Sequence, residues 1–232
     1  MFETRSLKLE RIDTGDYTPE EYDRFLKEIG FINRFIGDFR ALKKTLLREI
    51  EKEKINDFSV LDVGAGSGEI LREIAKFARR KNKRSKLFGL ELNARSADAI
   101  LEESKKFAEI KSVQANALEL PFADQTFDYA ISSLFTHHLT DEQITKTLRE
   151  MKRVVRRKIF VIDLHRHKGA YFSYKLFCAA FQISPLVRED GSLSILRSFK
   201  PKELEILARK AGLENFVVKK IVPFRLVLEA EN

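Results

Sequence analysis

The stretch Val60-Leu61-Asp62-Val63-Gly64-Ala65-Gly66-Ser67-Gly68-Glu69 decides the fold. A short apolar run ends in a glycine-rich turn, and an amphipathic segment from Glu69 to Arg80 follows. A buried strand turning sharply into a helix is the opening unit of an open α/β sheet, which binds ligands at the carboxyl ends of its strands. Glycines at 64, 66 and 68 let the backbone approach a ligand closely. Their spacing argues against two common ligands. A dinucleotide fingerprint places its third glycine where this chain has Glu69, and a carboxylate at that helix N-terminus opposes a pyrophosphate. No Gly-Lys-Ser/Thr follows the turn, so it is not a triphosphate-cradling loop either.

Outward from this unit, short apolar runs alternate with amphipathic stretches. Strands are expected at 59–63, 87–92, 110–115, 127–132, 159–163, 215–222 and 224–228, and helices at 69–80, 94–108, 141–155 and 202–211. Such alternation predicts an α/β fold with a mainly parallel sheet, while the last two strands, separated by little more than Pro223, should form an antiparallel hairpin. Upstream, Thr18-Pro19-Glu20-Glu21 reads as a capping box opening a helix that should stop near Gly30, and a second helix is expected from Ile32 to Lys54. Residues 1–17 look irregular and give no functional signal. Residues 164–200 break the alternation and read as a lid-like insertion with one short helix near Ala170 to Phe181. The chain therefore divides into an N-terminal helical cap, 1–55, and a sheet domain, 56–232.

Two further strand ends fall in register with the glycine turn. Glu91, at the end of the second strand, can accept hydrogen bonds from both hydroxyls of a ribose. Asn116, after the third, carries an amide able to donate and accept at an adenine edge.

As a set, these motifs resemble the class I S-adenosylmethionine-dependent methyltransferases over roughly residues 58–165. The resemblance implies a Rossmann-like three-layer sandwich with a seven-stranded sheet in the order 3-2-1-4-5-7-6. It implies S-adenosyl-L-methionine as cofactor and S-adenosyl-L-homocysteine as product, held by Asp62, Gly64, Ala65, Gly66, Gly68, Glu91, Leu92, Asn116, Ala117 and Ser132. Asn116 departs from the family's usual Asp but keeps an acceptor oxygen.

After the fourth strand, Ser132-Ser133-Leu134-Phe135 is not the Asn/Asp-Pro-Pro-aromatic motif of enzymes that methylate amino groups. The segment resembles instead the small-molecule branch, whose members methylate quinone precursors, phenols and polyketides. All four histidines follow strands four and five. His138, His137 and His165 are the candidate catalytic residues, because a neutral imidazole can take a proton from a phenol or an enol. Packing is the competing explanation for each. No metal is expected, since neither cysteine nor paired carboxylate accompanies the histidines in sequence. Arg34, Arg166 and Tyr171 are candidate acceptor-binding residues, and Phe172, Tyr174, Phe177 and Phe181 could form an aromatic lid.

Composition sets the outer bounds. A 232-residue chain with 44% apolar residues has enough material for a full core, and its one cysteine, Cys178, forms no internal disulfide, which suits the cytoplasm. No apolar run is long enough to span a membrane, and the N-terminus lacks the pattern of a secretory signal. The net charge of +8 is concentrated in two runs, 79–86 and 152–158. Both end a helix and lead into a strand, which places them opposite the crevice. Nucleic acid is therefore not the expected partner. The rival readings are RNA or protein methylation, suggested by the basic balance, and a non-catalytic cofactor-binding protein.

Overall fold

The computed structural model describes residues 2–35 and 38–232, with the backbone alone at Asn33, Arg34 and Phe35. In chain order the first elements are α1 (Arg11–Thr14), α2 (Pro19–Phe35), α3 (Asp38–Leu42), a π-helical turn (Lys43–Leu47) and α4 (Arg48–Lys52). Then come β1 (Asp57–Val63), α5 (Glu69–Arg80), β2 (Arg84–Glu91), α6 (Ala94–Glu103), β3 (Ile110–Gln114) and β4 (Phe127–Ser133). A 3-10 turn (Thr136–His138), α7 (Asp141–Val154), β5 (Val155–Leu164), α8 (Lys168–Ala180), α9 (Pro185–Arg197), α10 (Pro201–Lys210), β6 (Phe216–Ile221) and β7 (Arg225–Glu231) complete the chain.

The seven strands form one sheet in the order β3-β2-β1-β4-β5-β7-β6. β1 to β5 run parallel, and β7 lies antiparallel to both β5 and β6. The expected Rossmann-like order and C-terminal hairpin are thus present. β1 is buried along all but its first residue, as a central parallel strand covered on both faces must be. One face packs against α7 and α10 through Leu148, Met151, Leu204 and Leu207. The other packs against the π turn, α5 and α6 through Leu46, Leu71, Ile74 and Ile100. A third, smaller core joins Ile32 of α2 to Tyr174 and Cys178 of α8 and Val187 and Ile195 of α9. Among the described residues, no helix is long and apolar enough to cross a membrane.

Several local expectations hold and several fail for identifiable reasons. Thr18 and Glu21 bond reciprocally at the start of α2, as a capping box should, and Thr140 with Gln143 does the same for α7. The helix does not stop at Gly30. It continues to Phe35, and the missing side chain of Gly30 makes room for the Glu69 carboxylate, which a Cβ would meet at 2.9 Å. The expected single helix from Ile32 to Lys54 is instead α3, a π turn and α4, while Ile36 and Gly37 lie outside the described residues. The insertion holds two helices, not one. The second, α9, shows no amphipathic stripe because its buried residues include Asp190, Ser194 and Arg197 beside Leu186, Val187 and Ile195, and Gly191 lies where any side chain would strike the Tyr174 ring.

The two basic runs lie at the amino ends of β2 and β5, away from the glycine turn. Most of their cations are paired. Arg79 meets Glu109, Arg84 meets Asp57, Arg153 meets Glu150 and Asp124, and Lys158 meets Glu49 and Glu231.

Candidate functional site

The carboxyl ends of β1, β2, β4 and β5 open into a cavity of about 610 Å³. Asp62, Gly64, Ala65, Gly66 and Glu91 line one part of it, and His137 and His138 another. α2 closes one side, with Tyr22 bonded to Ser96 of α6 at 2.5 Å and Asp23 paired with Arg95. α8 and α9 contribute Tyr174, Phe177 and Ile195.

The glycine turn is laid onto the end of β2 by hydrogen bonds from Gly64 and Ala65 N–H to the Leu90 carbonyl at 2.9 and 3.2 Å. Gly66 has φ +57° and nothing within 4 Å of where a Cβ would stand, so the turn leaves open space there. The Gly66 N–H donates to Glu91 Oε1 at 2.5 Å. Burial pushes the Glu91 carboxyl up to about 7, against the pull of that bond. Asp62 is 1% exposed, and neither of its oxygens has a hydrogen-bond partner. Burial first, and the Glu91 charge second, push its carboxyl up to about 8. A buried carboxyl lacking both hydrogen bonds and a cation is costly, so this one fits a ligand that brings donors or positive charge. The cofactor's amino acid arm supplies a cation and its ribose supplies hydroxyls, which matches the donor-poor Asp62, the carboxylate of Glu91 and the cradle at Gly66.

The other expected cofactor residues are distributed differently. Gly68 takes φ +81° as the residue preceding α5. Leu92 and Asn116 stand exposed beyond β2 and β3 and Ala117 is buried beside them, none of the three lining the cavity. The two strand ends are tied by the Ala115 N–H to the Glu91 carbonyl at 2.9 Å. Ser132 does not face the cavity. Its hydroxyl donates to the Val63 carbonyl at 2.9 Å and so fastens β4 to β1, while Ser133 is the serine on the wall.

The histidine side is assembled from distant parts of the chain. His137 is buried, with Nδ1 2.7 Å from Asp163 Oδ1, and its N–H donates to Asp163 Oδ2 at 3.1 Å. Thr136 donates its hydroxyl to the same oxygen. Burial alone would raise Asp163, but His137, Thr136 and the Leu164 N–H outweigh it and hold the carboxyl at about 2. His138 Nδ1 lies 2.7 Å from Asp13 Oδ1, a residue 125 positions away in the chain. Glu10 enters from the same N-terminal segment, with Oε1 4.0 Å from His137 Nε2 and 3.9 Å from His138 Nδ1. Burial pushes the Glu10 carboxyl up to about 7. Residues 1–17 are therefore not irregular throughout: Glu10, just before α1, and Asp13, within it, bring two acidic side chains to the histidines. Asp190 fixes that helix by accepting from the N–H groups of Arg11 and Ile12 at 2.9 and 3.0 Å.

Not every histidine or expected acceptor residue joins this cluster. His165 is not among the lining residues, and burial together with the positive charge of Lys220 lowers its imidazole to about 4. Arg166 is not available to an acceptor. Its guanidinium is buried and donates to the carbonyls of Phe2, Glu3 and Ser198 and to Glu203, which makes it a clamp between the N-terminal segment and the start of α10. Tyr171 packs edge-on against Phe2 at 5.7 Å and is likewise off the cavity wall. The Arg34 side chain lies outside the described residues. Of the expected lid aromatics, Tyr174 and Phe177 line the cavity, whereas Phe172 and Phe181 are exposed. The sequence reading missed Phe135, whose ring occupies the space beside Gly64.

Comparison with known proteins agrees with this geometry. A family model described as a methyltransferase domain matches residues 60–158. The ubiquinone/menaquinone biosynthesis C-methyltransferase of Rickettsia akari is 31% identical over 183 residues, covering 70% of this chain and 71% of that protein. The demethylmenaquinone methyltransferase of Bacillus licheniformis is 28% identical, covering 68% and 71%. Among solved structures, magnesium protoporphyrin IX methyltransferase from Synechocystis with bound S-adenosylhomocysteine superposes with a TM-score of 0.65 at 12% identity, covering 96% of this chain and 100% of that one. From the glycine turn, the strand order and these relatives together, the chain belongs to the class I S-adenosylmethionine-dependent methyltransferases.

Proposed function

We propose that this chain transfers a methyl group to oxygen or carbon of a small, aromatic or lipid-like acceptor. The carrying observation is one continuous cavity that joins the glycine turn to His137 and His138 past apolar walls formed by Phe25, Ile29, Phe39, Phe135 and Phe177. Such a lining suits a largely apolar molecule with a few polar groups. The matched relatives are named for methylation in ubiquinone and menaquinone biosynthesis, which is the same kind of acceptor.

The cofactor, when bound, supplies an electrophilic methyl group. What this chain's residues contribute is alignment, because in-line displacement gains most from holding donor and acceptor together. Asp62, Gly64, Gly66 and Glu91 hold the cofactor side. The imidazole pair faces the acceptor side, where His138 orients an acceptor oxygen and can receive its proton if it carries one. Residues 1–55 serve in this reading as the cap over the acceptor, and the cytoplasm is the setting. The basic runs, largely ion-paired on the opposite end of the sheet, give an RNA acceptor little to bind.

Incubation with S-adenosylmethionine and a panel of phenols and reduced quinones is expected to yield singly methylated products by mass spectrometry. Methylation of RNA or protein but of no small acceptor would overturn the reading. Cofactor binding with no transfer to any acceptor would leave the non-catalytic alternative in its place.

A further inference from the structure

We propose that Glu10, His137 and His138 form a binding site for a divalent cation of the zinc type, with one coordination position open to the cavity. Each of the three offers a ligand atom, and these atoms all lie within 4.8 Å of one another. Two imidazoles and a carboxylate are the donor set of an open, three-ligand site for a borderline cation, unlike the all-oxygen sets that calcium or magnesium prefer.

The independent observation is Glu10 itself. The residue is 2% exposed, and its Oε1 has no hydrogen-bond partner. Its other oxygen accepts from the Ser194 hydroxyl at 2.8 Å, which leaves Oε1 turned toward the two rings. The nearby guanidinium of Arg197 does not satisfy it. Arg197 donates to the carbonyls of His137, His138 and Lys8 and pairs with Asp13 at 3.0 Å, and its Nε lies 3.6 Å from Glu10 Oε1 without bonding to it.

The surroundings are those that metal-ligating histidines use. Asp163 holds His137 Nδ1 at 2.7 Å and so directs Nε2 toward Glu10, the carboxylate–histidine arrangement that orients imidazole ligands. Charge also favours occupancy, since Glu10, Asp13 and Asp163 bring three carboxylates against the two guanidiniums of Arg197 and Arg5. Donors bound at about 2.0–2.1 Å around a tetrahedral ion stand roughly 3.3 Å apart. Glu10 Oε1 lies 3.9–4.0 Å from the two imidazole nitrogens and all three ligand atoms lie within 4.8 Å, so binding draws the three groups together and His138 Nδ1 exchanges its Asp13 partner for the ion. The inference rests on the proposed acceptor only in placing the cation beside the acceptor's oxygen; the site itself depends on this chain's residues alone.

Chelator-stripped full-length protein titrated with zinc chloride by calorimetry is expected to bind one equivalent at micromolar or tighter affinity, and cobalt(II) to show the visible absorption of a low-coordinate site. Glu10→Gln, which keeps the Ser194 bond and the side chain's shape, should weaken binding at least 30-fold, as should His138→Ala. The neighbouring pair His165 and His167, with ring centroids 5.6 Å apart, is the rival site, and His165→Ala with His167→Ala should leave binding unchanged. Absence of saturable zinc binding would overturn the inference, and so would binding that survives Glu10→Gln or disappears in the His165/His167 variant. S-adenosylhomocysteine affinity measured on each sample reports that the protein remains folded. Retained zinc binding with no methylation of any small acceptor would remove the acceptor reading and leave the cation site standing.

Discussion

Asp62 and Asp163 are each the next-to-last residue of a strand in the same sheet, and both are fully buried, yet their environments are opposite. Asp62 has no hydrogen-bond partner and its carboxyl is pushed up to about 8. Asp163 accepts from Thr136, from both the main chain and the ring of His137, and from the Leu164 N–H, and is held at about 2. One carboxylate is completed within the protein and the other is left for a ligand to complete. The first is a support of the histidine cluster. In the proposed reading the second meets the cofactor's charge and donors, at a cost to the ligand-free fold.

The largest expected effect separates the two directly. Asp163→Asn should lower stability in chemical denaturation by about 3 kcal/mol or more, since it removes the charged acceptor of several buried hydrogen bonds worth about 1.5–3 kcal/mol each. Asp62→Asn should instead raise the melting temperature of the ligand-free protein at pH 8 by a few degrees, since about 1 kcal/mol corresponds to roughly 2–4 °C at this size. Equal destabilisation by both changes would break the comparison.

The next effect falls on the cofactor cradle. Gly66→Val fills space that the protein itself leaves empty, so S-adenosylhomocysteine affinity should fall about 100-fold or more while the unfolding transition stays cooperative. Calorimetry on the variant checks this, and retained affinity would mean the cofactor lies elsewhere. Glu91→Ala removes charge-assisted bonds of about 1.5–3 kcal/mol each, which predicts a loss of roughly 10- to 100-fold for one such bond in the same titration.

The smallest effect is that of pH. Asp62 and Glu91 have folded-state values above those of an unfolded chain, about 3.9 and 4.3 for Asp and Glu. The stability they contribute is therefore complete below about pH 4 and is lost as pH rises through about 7 to 8. A ligand that prefers the ionised carboxylates binds with the opposite trend. Affinity for S-adenosylhomocysteine should rise about tenfold from pH 6 to pH 9 with release of protons, and the stabilisation it confers in thermal melts should grow in step. A flat profile would indicate that neither carboxylate meets the cofactor.

How much of this was legible in the sequence differs between the two ends of the cavity. The cofactor end is built from one βαβ unit, Asp57 to Glu91, so local rules of strand, turn and helix place Asp62, the glycines and Glu91 together. The expectation that Ser132 helps hold the cofactor meets a hydroxyl spent on the Val63 carbonyl, with Ser133 on the cavity instead, because which of two adjacent strand residues faces a cavity is set by the register and not by the local sequence. Arg166 misled for another reason: a cation after a strand suggests a binding group, and only the fold shows its donors spent on main-chain carbonyls. α9 is hard to see in the sequence because Asp190, Ser194 and Arg197 share its buried positions with Leu186, Val187 and Ile195, which erases the apolar stripe by which helices are recognised.

The sequence by itself determined the class of fold, because the alternation of strands and helices follows from hydrophobic period, while the strand order and the expected cofactor residues came with the family resemblance that its motifs carry. Only the tertiary structure decided what stands opposite the histidines. Glu10 and Asp13 lie more than a hundred residues before His137 and His138, in a segment whose charges look like ordinary surface. Packing of α1 against α9 buries Glu10 and holds the more exposed Asp13 against His138, which turns two commonplace carboxylates into partners for imidazole. No local pattern encodes that meeting, since it depends on the closure of a long loop whose ends carry no shared periodicity.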